Sequence, residues 1–262
     1  MKLRRLRKDT LSGYTTFGCM WKKGSCSERT AYSCTDSEGR TVPVQSRITA
    51  YWPDGSVKWT AHTADSALLG DEIEVLPKEE SAFGTEDSRK RKPESEVFGG
   101  ELLKTESEYH VDESCSAGNS DSGISVEDKG AEIKINNGRF CIYVNRESDF
   151  LFDRISTHKG ETAAKARAVL QLEEPTLLDG YEAKVTKPYA GVVKEVEIEE
   201  QGALQCILKY TGCHKNRDGE EKIPFIIRMR IYKDCPTLHF THTFLYDGDE
   251  DKDFLKGLGI AF

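Results

Sequence analysis

Two β-rich runs meet at a turn in the stretch Arg47-Ile48-Thr49-Ala50-Tyr51-Trp52-Pro53-Asp54-Gly55-Ser56-Val57-Lys58-Trp59-Thr60-Ala61-His62-Thr63. An Asp-Gly pair between two such runs is a strong hairpin signal, so we expect a tight primed turn with Gly55 at positive φ. Side chains alternate along a strand, which puts Trp59 and Thr60 on opposite faces of the second run. Because large aromatic side chains tend to be buried, we expect Trp59 in the core.

Short alternating runs and turn signals continue on both sides of this hairpin. They predict a small β-barrel or sandwich over residues 1–78 and, from residue 124 to 262, the longer antiparallel strands of a β-sandwich. Asn137-Gly138 marks a second hairpin turn. Residues 162–172 fit either a helix or a strand that follows a turn. The fold class expected is therefore all-β, with a small barrel or sandwich followed by a longer β-sandwich.

Residues 79–123 differ in composition from both flanks, being rich in acidic residues, Ser and Gly. Such a segment buries little apolar surface, so we expect a flexible charged linker or insertion. The basic cluster Arg89-Lys90-Arg91-Lys92 within it could serve nuclear localisation or nucleic-acid binding. A solvated charge run is the preferred interpretation.

The net charge and the cysteine spacing limit the classes of protein to which this chain can belong. With 37 basic and 45 acidic residues the net charge is −8, which argues against a nucleic-acid-binding protein. No apolar run reaches the length needed to span a membrane. The basic amino terminus lacks the apolar segment of a secretory signal, and the eight cysteines form no CxxC pair. We therefore expect a cytoplasmic protein with reduced, mostly buried thiols.

Two patterns suggest metal sites and are weak on inspection. His239 and His242 have the spacing of a helical metal pair, but their run is strand-like, so the two side chains should point to opposite faces. The acidic run 247–253 resembles a calcium loop, yet an EF-hand needs Gly at its sixth position and an acid at its twelfth, where Lys252 and Leu258 stand. We expect no cofactor, with calcium as a weak alternative.

Tryptophans are the remaining candidates for ligand contact. Trp21 and Trp52 could stack on sugar rings, although each could equally belong to the core. No complete catalytic constellation is recognisable, so the catalytic residues are unknown at this stage.

Two blocks of sequence carry a family resemblance. The first runs from Val42 to His62 and contains Trp52-Pro53-Asp54-Gly55-Ser56-Val57-Lys58-Trp59; the second contains His242-Thr243-Phe244-Leu245-Tyr246-Asp247-Gly248-Asp249 and ends near Gly259. Together they resemble the amino-terminal half of the exo-rhamnogalacturonan lyase family, which comprises fungal polysaccharide lyases and bacterial relatives. One departure is Cys19-Met20, where relatives tend to have a proline.

The resemblance implies a RIFT-type barrel, a β-sandwich and a third, α/α-toroidal domain. It implies that this chain stops within the sandwich, so that the toroid is missing or encoded separately. The implied chemistry is β-elimination on a pectic polysaccharide, which needs a base and a cation that neutralises the uronate carboxylate. Arg228 and Lys58 are candidate cations, but they lie in different domains, and we expect the linker to leave the separation of those domains unfixed.

Two functions remain open, and so does the question of whether the chain is an enzyme. The first is a non-catalytic amino-terminal fragment of an exo-rhamnogalacturonan-lyase-like protein, inactive alone. The alternative is a stand-alone carbohydrate-binding or scaffold module. An exposed Trp21 or Trp52 would favour binding, whereas burial of all the tryptophans would favour a scaffold.

Overall fold

The computed structural model describes residues 1–5, 13–78 and 123–262, and every helix or strand in these ranges is a β-strand. The all-β fold class is therefore confirmed. The expected linker, residues 79–123, lies outside the described residues except for Gly123, and so does its basic cluster. Within the described ranges there is no helix long and apolar enough to cross a bilayer.

Two small sheets form the amino-terminal barrel. One has the order β1-β7-β3-β4 and the other the order β2-β6-β5. Their strands are β1 Lys2–Arg4, β2 Tyr14–Met20, β3 Tyr32–Asp36, β4 Thr41–Val42, β5 Gln45–Tyr51, β6 Val57–Asp65 and β7 Glu72–Pro77. Between the sheets lies a core of small and sulfur-containing side chains around one large ring: Cys19, Trp21, Cys26, Cys34, Val42, Val57, Ala64, Leu69 and Val75.

The turn between β5 and β6 has the expected glycine conformation, with Gly55 at φ +83°. Its loop is longer than a two-residue primed turn. The Gly55 amide donates to Trp52 O at 2.9 Å and the Trp52 amide donates to Ser56 O at 2.8 Å, so three residues form the loop. Pro53 and Asp54 occupy the central positions of a turn, and Gly55 supplies the left-handed residue that follows it.

The expectation that Trp59 belongs to the core is wrong, because its side chain is 39% exposed. The inward face of β6 carries Thr60, His62 and Ala64, all nearly or fully buried. Trp21 occupies the core space beside Thr60, so the large ring inside the barrel comes from the segment after β2.

Ten strands form the second domain. They are β8 Ser125–Asp128, β9 Glu132–Asn136, β10 Cys141–Asn145, β11 Phe152–Thr157, β12 Gly160–Leu178, β13 Tyr181–Gln201, β14 Gln205–Lys215, β15 Glu221–Tyr232, β16 Leu238–Phe244 and β17 Phe254–Ala261. The order is β16-β15-β14-β13-β12-β11-β10-β9-β8, with β17 also pairing to β12. Gly138 has the positive φ expected of the Asn137-Gly138 turn.

Strand β12 links the two layers of the sandwich. Its first part pairs with β11, its middle pairs with β17, and its second half pairs with β13. The segment 162–172, which fits either a helix or a strand by sequence, is therefore a strand. Between the layers lies a core of aliphatic and aromatic side chains that includes Ile133, Phe152, Leu208, Tyr210 and Ile227.

A hydrogen-bonded interface joins the barrel to the sandwich. Gln45 inserts its side chain into the turn between β13 and β14, where its Oε1 accepts from the amides of Leu204 and Gln205 at 2.9 Å each. Its Nε2 donates to Gln205 O at 2.9 Å and to the Glu200 carboxylate. Gly202 leaves the room for this insertion, since a Cβ there would collide with the amide. The separation of the two domains, which the linker was not expected to fix, is therefore fixed by this direct interface.

Seven of the eight cysteines lie in the described residues, and all seven are buried with no disulfide between them. Cys115 lies outside the described residues. Burial raises the pKa of the Cys19 thiol to about 11 and that of Cys206 to about 12. These thiols behave as small core side chains rather than as nucleophiles.

Candidate functional site

Trp21 lies in the barrel core, with 7% of its side chain exposed. Its ring stacks on Tyr32 at 5.1 Å between centroids, and its Nε1 donates to Thr60 Oγ1 at 2.8 Å. A ring held in this way offers no free face to a sugar, so its placement favours a structural role.

Trp52 is half-buried at the end of β5. Its Nε1 donates to Trp21 O at 3.1 Å, and Lys58 Nζ lies 4.5 Å from its ring centroid. The ammonium covers one face of the indole, which is a cation–π contact. The two tryptophans proposed from the sequence are thus joined to each other, and Lys58 occupies one face of the Trp52 ring.

An open groove lies where strand β5 ends the three-stranded sheet. We call it the seam groove; its volume is about 480 Å³, and it is lined by Glu28, Thr30, Ala31, Tyr32, Val44, Ser46, Arg47, Ile48 and Tyr51. Strand β5 pairs with β6 alone, so its other edge opens onto this groove. The volume is in the range of small-ligand sites, and the lining mixes aromatic, hydroxyl and charged groups.

A chain of hydrogen bonds connects the barrel core to the seam groove. Thr60 Oγ1, which accepts from Trp21, lies 2.7 Å from His62 Nε2, and His62 Nδ1 lies 2.7 Å from Ser46 Oγ. His62 is fully buried, and burial lowers its pKa to about 4, so the imidazole is neutral at neutral pH. Ser46 is the exposed end of this chain.

Tyr51 and Glu28 form the outer part of the groove. The Tyr51 hydroxyl donates to Glu28 Oε1 at 2.9 Å while 48% of the side chain stays exposed, and this hydrogen bond raises the pKa of Tyr51. Deeper in the groove, the Tyr32 hydroxyl is buried and its ring meets His62 edge-on at 5.3 Å. An exposed ring, hydroxyl groups and a carboxylate together make a surface that can hold a polyhydroxyl ligand.

Strict alternation along β5 would put Ser46 and Tyr51 on opposite faces, which is why sequence reasoning missed the groove. Register shifts between Ile48 and Tyr51 interrupt this alternation, so that Ser46 and Tyr51 line the same groove. The aromatic and hydroxyl content of the hairpin was visible in the sequence, but the position of these shifts was not.

Both candidate cations of the sequence are already engaged. Arg228 donates through Nε and Nη2 to the Glu199 carboxylate at 2.7 to 3.0 Å, which raises the pKa of Arg228 and lowers that of Glu199. Lys58 lies on the Trp52 ring. Neither cation stands free beside a basic group in a cleft, as carboxylate neutralisation in β-elimination requires.

The two histidines of β16 point to different faces of the sheet, as expected. His239 pairs with Arg230 and lies against Tyr232, whereas His242 pairs with Ile227 and lies 5.9 Å from the buried His214 between ring centroids. In residues 1–5, 13–78 and 123–262 there is no group of three His, Cys, Asp or Glu side chains arranged to hold a metal ion.

The acidic loop 247–253 uses its carboxylates to fold itself. Asp247 accepts the Ile223 amide at 2.9 Å, and Asp249 pairs with Lys252 at 2.9 Å. Asp253 is nearly buried, pairs with Lys222, and accepts the Asp249 amide at 2.9 Å. These contacts explain the spacing of the acids as structural and place the loop against the start of β15.

Comparison with known proteins agrees with this architecture. Residues 1–75 match the family described as "PcRGLX-like N-terminal RIFT barrel domain", and residues 124–262 match "PcRGLX-like protein central beta sandwich domain". The chain is similar to the uncharacterized protein YetA of Bacillus subtilis (strain 168), at 27% identity over 248 residues, which is 94% of this chain and 25% of YetA. The chain thus spans about a quarter of that relative's length. From the barrel, the sandwich and these matches, the chain belongs to the exo-rhamnogalacturonan lyase-like (PcRGLX-like) family, of which it contains the N-terminal barrel and the central sandwich.

Proposed function

We propose that the barrel and sandwich form a non-catalytic amino-terminal part of a rhamnogalacturonan-lyase-like protein acting on pectic polysaccharide. In this proposal the chain alone has no lyase activity, and a helical toroid domain supplies the catalytic groups. Membership of the PcRGLX-like family supports the substrate class named in this proposal.

The state of the cations is the observation that carries the non-catalytic role. β-Elimination needs a group that takes the proton α to the uronate carboxyl and a cation that stabilises the charge built on that carboxyl. The Arg228 guanidinium forms a salt bridge with the Glu199 carboxylate, and the Lys58 ammonium lies over the ring of Trp52. His62 is buried and His242 is half-buried. Desolvation lowers the pKa of each imidazole to about 4, far below the range of an effective base at neutral pH.

The fixed interface between the two domains supports this proposal. Gln45 makes four hydrogen bonds across the domain interface, and Arg47 Nε lies 2.8 Å from Glu200 Oε2. Tyr14 of the barrel stacks on Tyr232 of the sandwich with centroids 5.1 Å apart. A platform fixed in this way can hold a further domain and a polysaccharide in a constant relation, because positioning supplies much of the rate of an enzyme.

The test is an assay of the purified chain on rhamnogalacturonan oligosaccharides, following the ultraviolet absorbance of the unsaturated uronate product. We expect no turnover above that of a heat-denatured sample, while a longer family member with its helical domain serves as the positive control. Turnover by this chain that is lost in Arg228→Gln or Lys58→Gln would show that the catalytic centre lies in these two domains.

A stand-alone carbohydrate-binding module is the second candidate, and the seam groove favours it. The groove is lined by an aromatic ring, a hydroxyl group and a carboxylate, which belong to Tyr51, Ser46 and Glu28. Binding of a saccharide there is compatible with absence of lyase activity, so a binding measurement, and not turnover, tests this second candidate.

A further inference from the structure

We infer that the seam groove binds a neutral sugar residue and discriminates against a uronate. This inference deepens the carbohydrate-binding candidate of the proposed function by naming the class of sugar. It rests on the direction of the hydrogen-bond chain that ends at Ser46, on the charge of the groove, and on the position of Tyr51.

The donor and acceptor roles along this series of hydrogen bonds follow from its buried end at Trp21. An indole N–H only donates, so Thr60 Oγ1 accepts from Trp21. Thr60 is 1% exposed, and the acceptor that the structure gives its hydroxyl hydrogen is His62 Nε2 at 2.7 Å. A neutral imidazole with a bare Nε2 carries its hydrogen on Nδ1, which donates to Ser46 Oγ at 2.7 Å.

Ser46 is therefore an acceptor toward the core and a donor toward the groove. Each hydrogen bond in such a directional chain polarises the next, so the Ser46 hydroxyl is a strengthened donor for a ligand oxygen. A sugar hydroxyl or ring oxygen can accept this bond without carrying a charge.

The charge of the groove sets the preference among sugars. Its charged lining residues are Glu28 and Arg47. Arg47 Nε lies 2.8 Å from Glu200 Oε2, so the charge of Arg47 is matched within the domain interface. Glu28 remains as a carboxylate that accepts from Tyr51 on Oε1 and can accept a ligand hydroxyl on Oε2. A uronate would bring a second negative charge beside it, whereas a neutral sugar brings donors.

Tyr51 supplies the apolar contact. Its ring is about half exposed, and the hydrogen bond from its hydroxyl to Glu28 holds it in place before a ligand arrives. A fixed aromatic side chain loses little conformational entropy on binding, which favours stacking of the apolar face of a sugar ring.

The experiment titrates the isotopically labelled chain with sugars and follows its backbone amide resonances. Galactose and galacturonate form a matched pair that differs only at C6, and rhamnose, glucose and arabinose widen the neutral set. We expect saturable shifts of the amides around Ser46 and Tyr51 with a neutral sugar. We expect galacturonate to bind at least about fivefold more weakly than galactose, the effect of one like-charge contact in water.

Substitutions of single groove residues measure what each contributes to sugar binding. Ser46→Ala should weaken binding of neutral sugars, and Glu28→Gln should bring galacturonate close to galactose because it removes the charge and keeps an acceptor oxygen. Tyr181→Leu, at an exposed tyrosine of the sandwich, is the control and should bind as the unmodified chain does. Tryptophan fluorescence checks that each variant keeps the barrel folded.

Two outcomes would overturn the inference. One is that no neutral sugar shifts the groove amides at the highest soluble concentration; the other is that galacturonate binds as tightly as galactose. Neither outcome bears on the lyase assay, so failure of the groove as a sugar site is distinguishable from failure of the non-catalytic role.

Discussion

The barrel and the sandwich solve the problem of a stable interior in different ways. The barrel core contains three cysteines and a line of buried polar groups in which Trp21, Thr60 and His62 satisfy one another. The sandwich core is built from aliphatic and aromatic side chains such as Leu208 and Ile227. Directional bonds in the barrel fix a chemical group at its surface, whereas nonpolar packing in the sandwich supplies stability. This difference supports the proposal that recognition belongs to the barrel and support to the sandwich.

The largest effect is expected from the sandwich core. Leu208→Ala removes a fully buried side chain and should lower the free energy of unfolding by about 2–5 kcal/mol, through lost burial and the cavity left behind. Denaturant unfolding followed by circular dichroism measures the change. Leu177→Ala, at a side chain that is 69% exposed, is the control and should stay within about 0.5 kcal/mol. Equal losses in both variants would contradict the assignment of this core.

In the barrel, the corresponding test removes the hydrogen bonds that join Trp21, Thr60 and His62 and keeps the volume of the central side chain. Thr60→Val keeps the volume but leaves Trp21 Nε1 and His62 Nε2 without their shared partner, so we expect a loss of about 1–3 kcal/mol per buried group left unpaired. All three tryptophans lie in the barrel, so their fluorescence reports its unfolding. Thr49→Val, at an exposed position of β5, should have little effect. A neutral Thr60→Val would show that nonpolar packing alone holds the barrel.

The domain interface can be broken by one charge. Gln45→Glu replaces the Nε2 donor with an anion that faces the Glu200 carboxylate, and we expect a loss of about 1–3 kcal/mol, as for breaking a buried hydrogen-bonded pair. Barrel fluorescence and total circular dichroism should then show separate transitions. Gln201→Glu, at an exposed neighbour, is the control. Coincident transitions in Gln45→Glu would mean that other contacts couple the domains.

A fall in pH should lower the free energy of unfolding of the sandwich more than that of the barrel. In the barrel, burial lowers the pKa of His62 to about 4. In the sandwich, burial and the neighbouring His214 lower the pKa of His242 to about 4, and burial also lowers the pKa of His214 itself. These folded values lie below the unfolded value of about 6.5, so the stability they carry is complete above pH 6.5 and is lost as the pH falls toward 4. His242→Phe should flatten this dependence, and His158→Gln, at an exposed residue, should not. A flat profile in the unmodified chain would contradict neutral burial.

Sequence periodicity predicted the all-β class, the hairpin of β5 and β6 and the turn at Asn137-Gly138, because alternation and turn residues are local properties. The segment 162–172 stayed ambiguous since its alanines favour a helix, and only pairing with β11, β13 and β17 makes it a strand. The seam groove depends on register shifts in β5, and the interface depends on Gln45 meeting residues more than 150 positions away. Such long-range contacts leave no local signal.

The smallest effect is expected at the turn that first indicated the fold. Gly55 has φ +83°, and a Cβ added there meets no atom within 4 Å, so the cost of Gly55→Val is purely conformational. A β-branched residue in the left-handed region should cost about 1–2 kcal/mol and lower the midpoint of barrel unfolding measured by tryptophan fluorescence. Gly259→Val in β17 is the matched control from the sandwich, because that glycine has equal space and no positive φ, and valine suits a strand. An unchanged barrel midpoint in Gly55→Val, or an equal loss in Gly259→Val, would show that the left-handed residue is not what the turn requires.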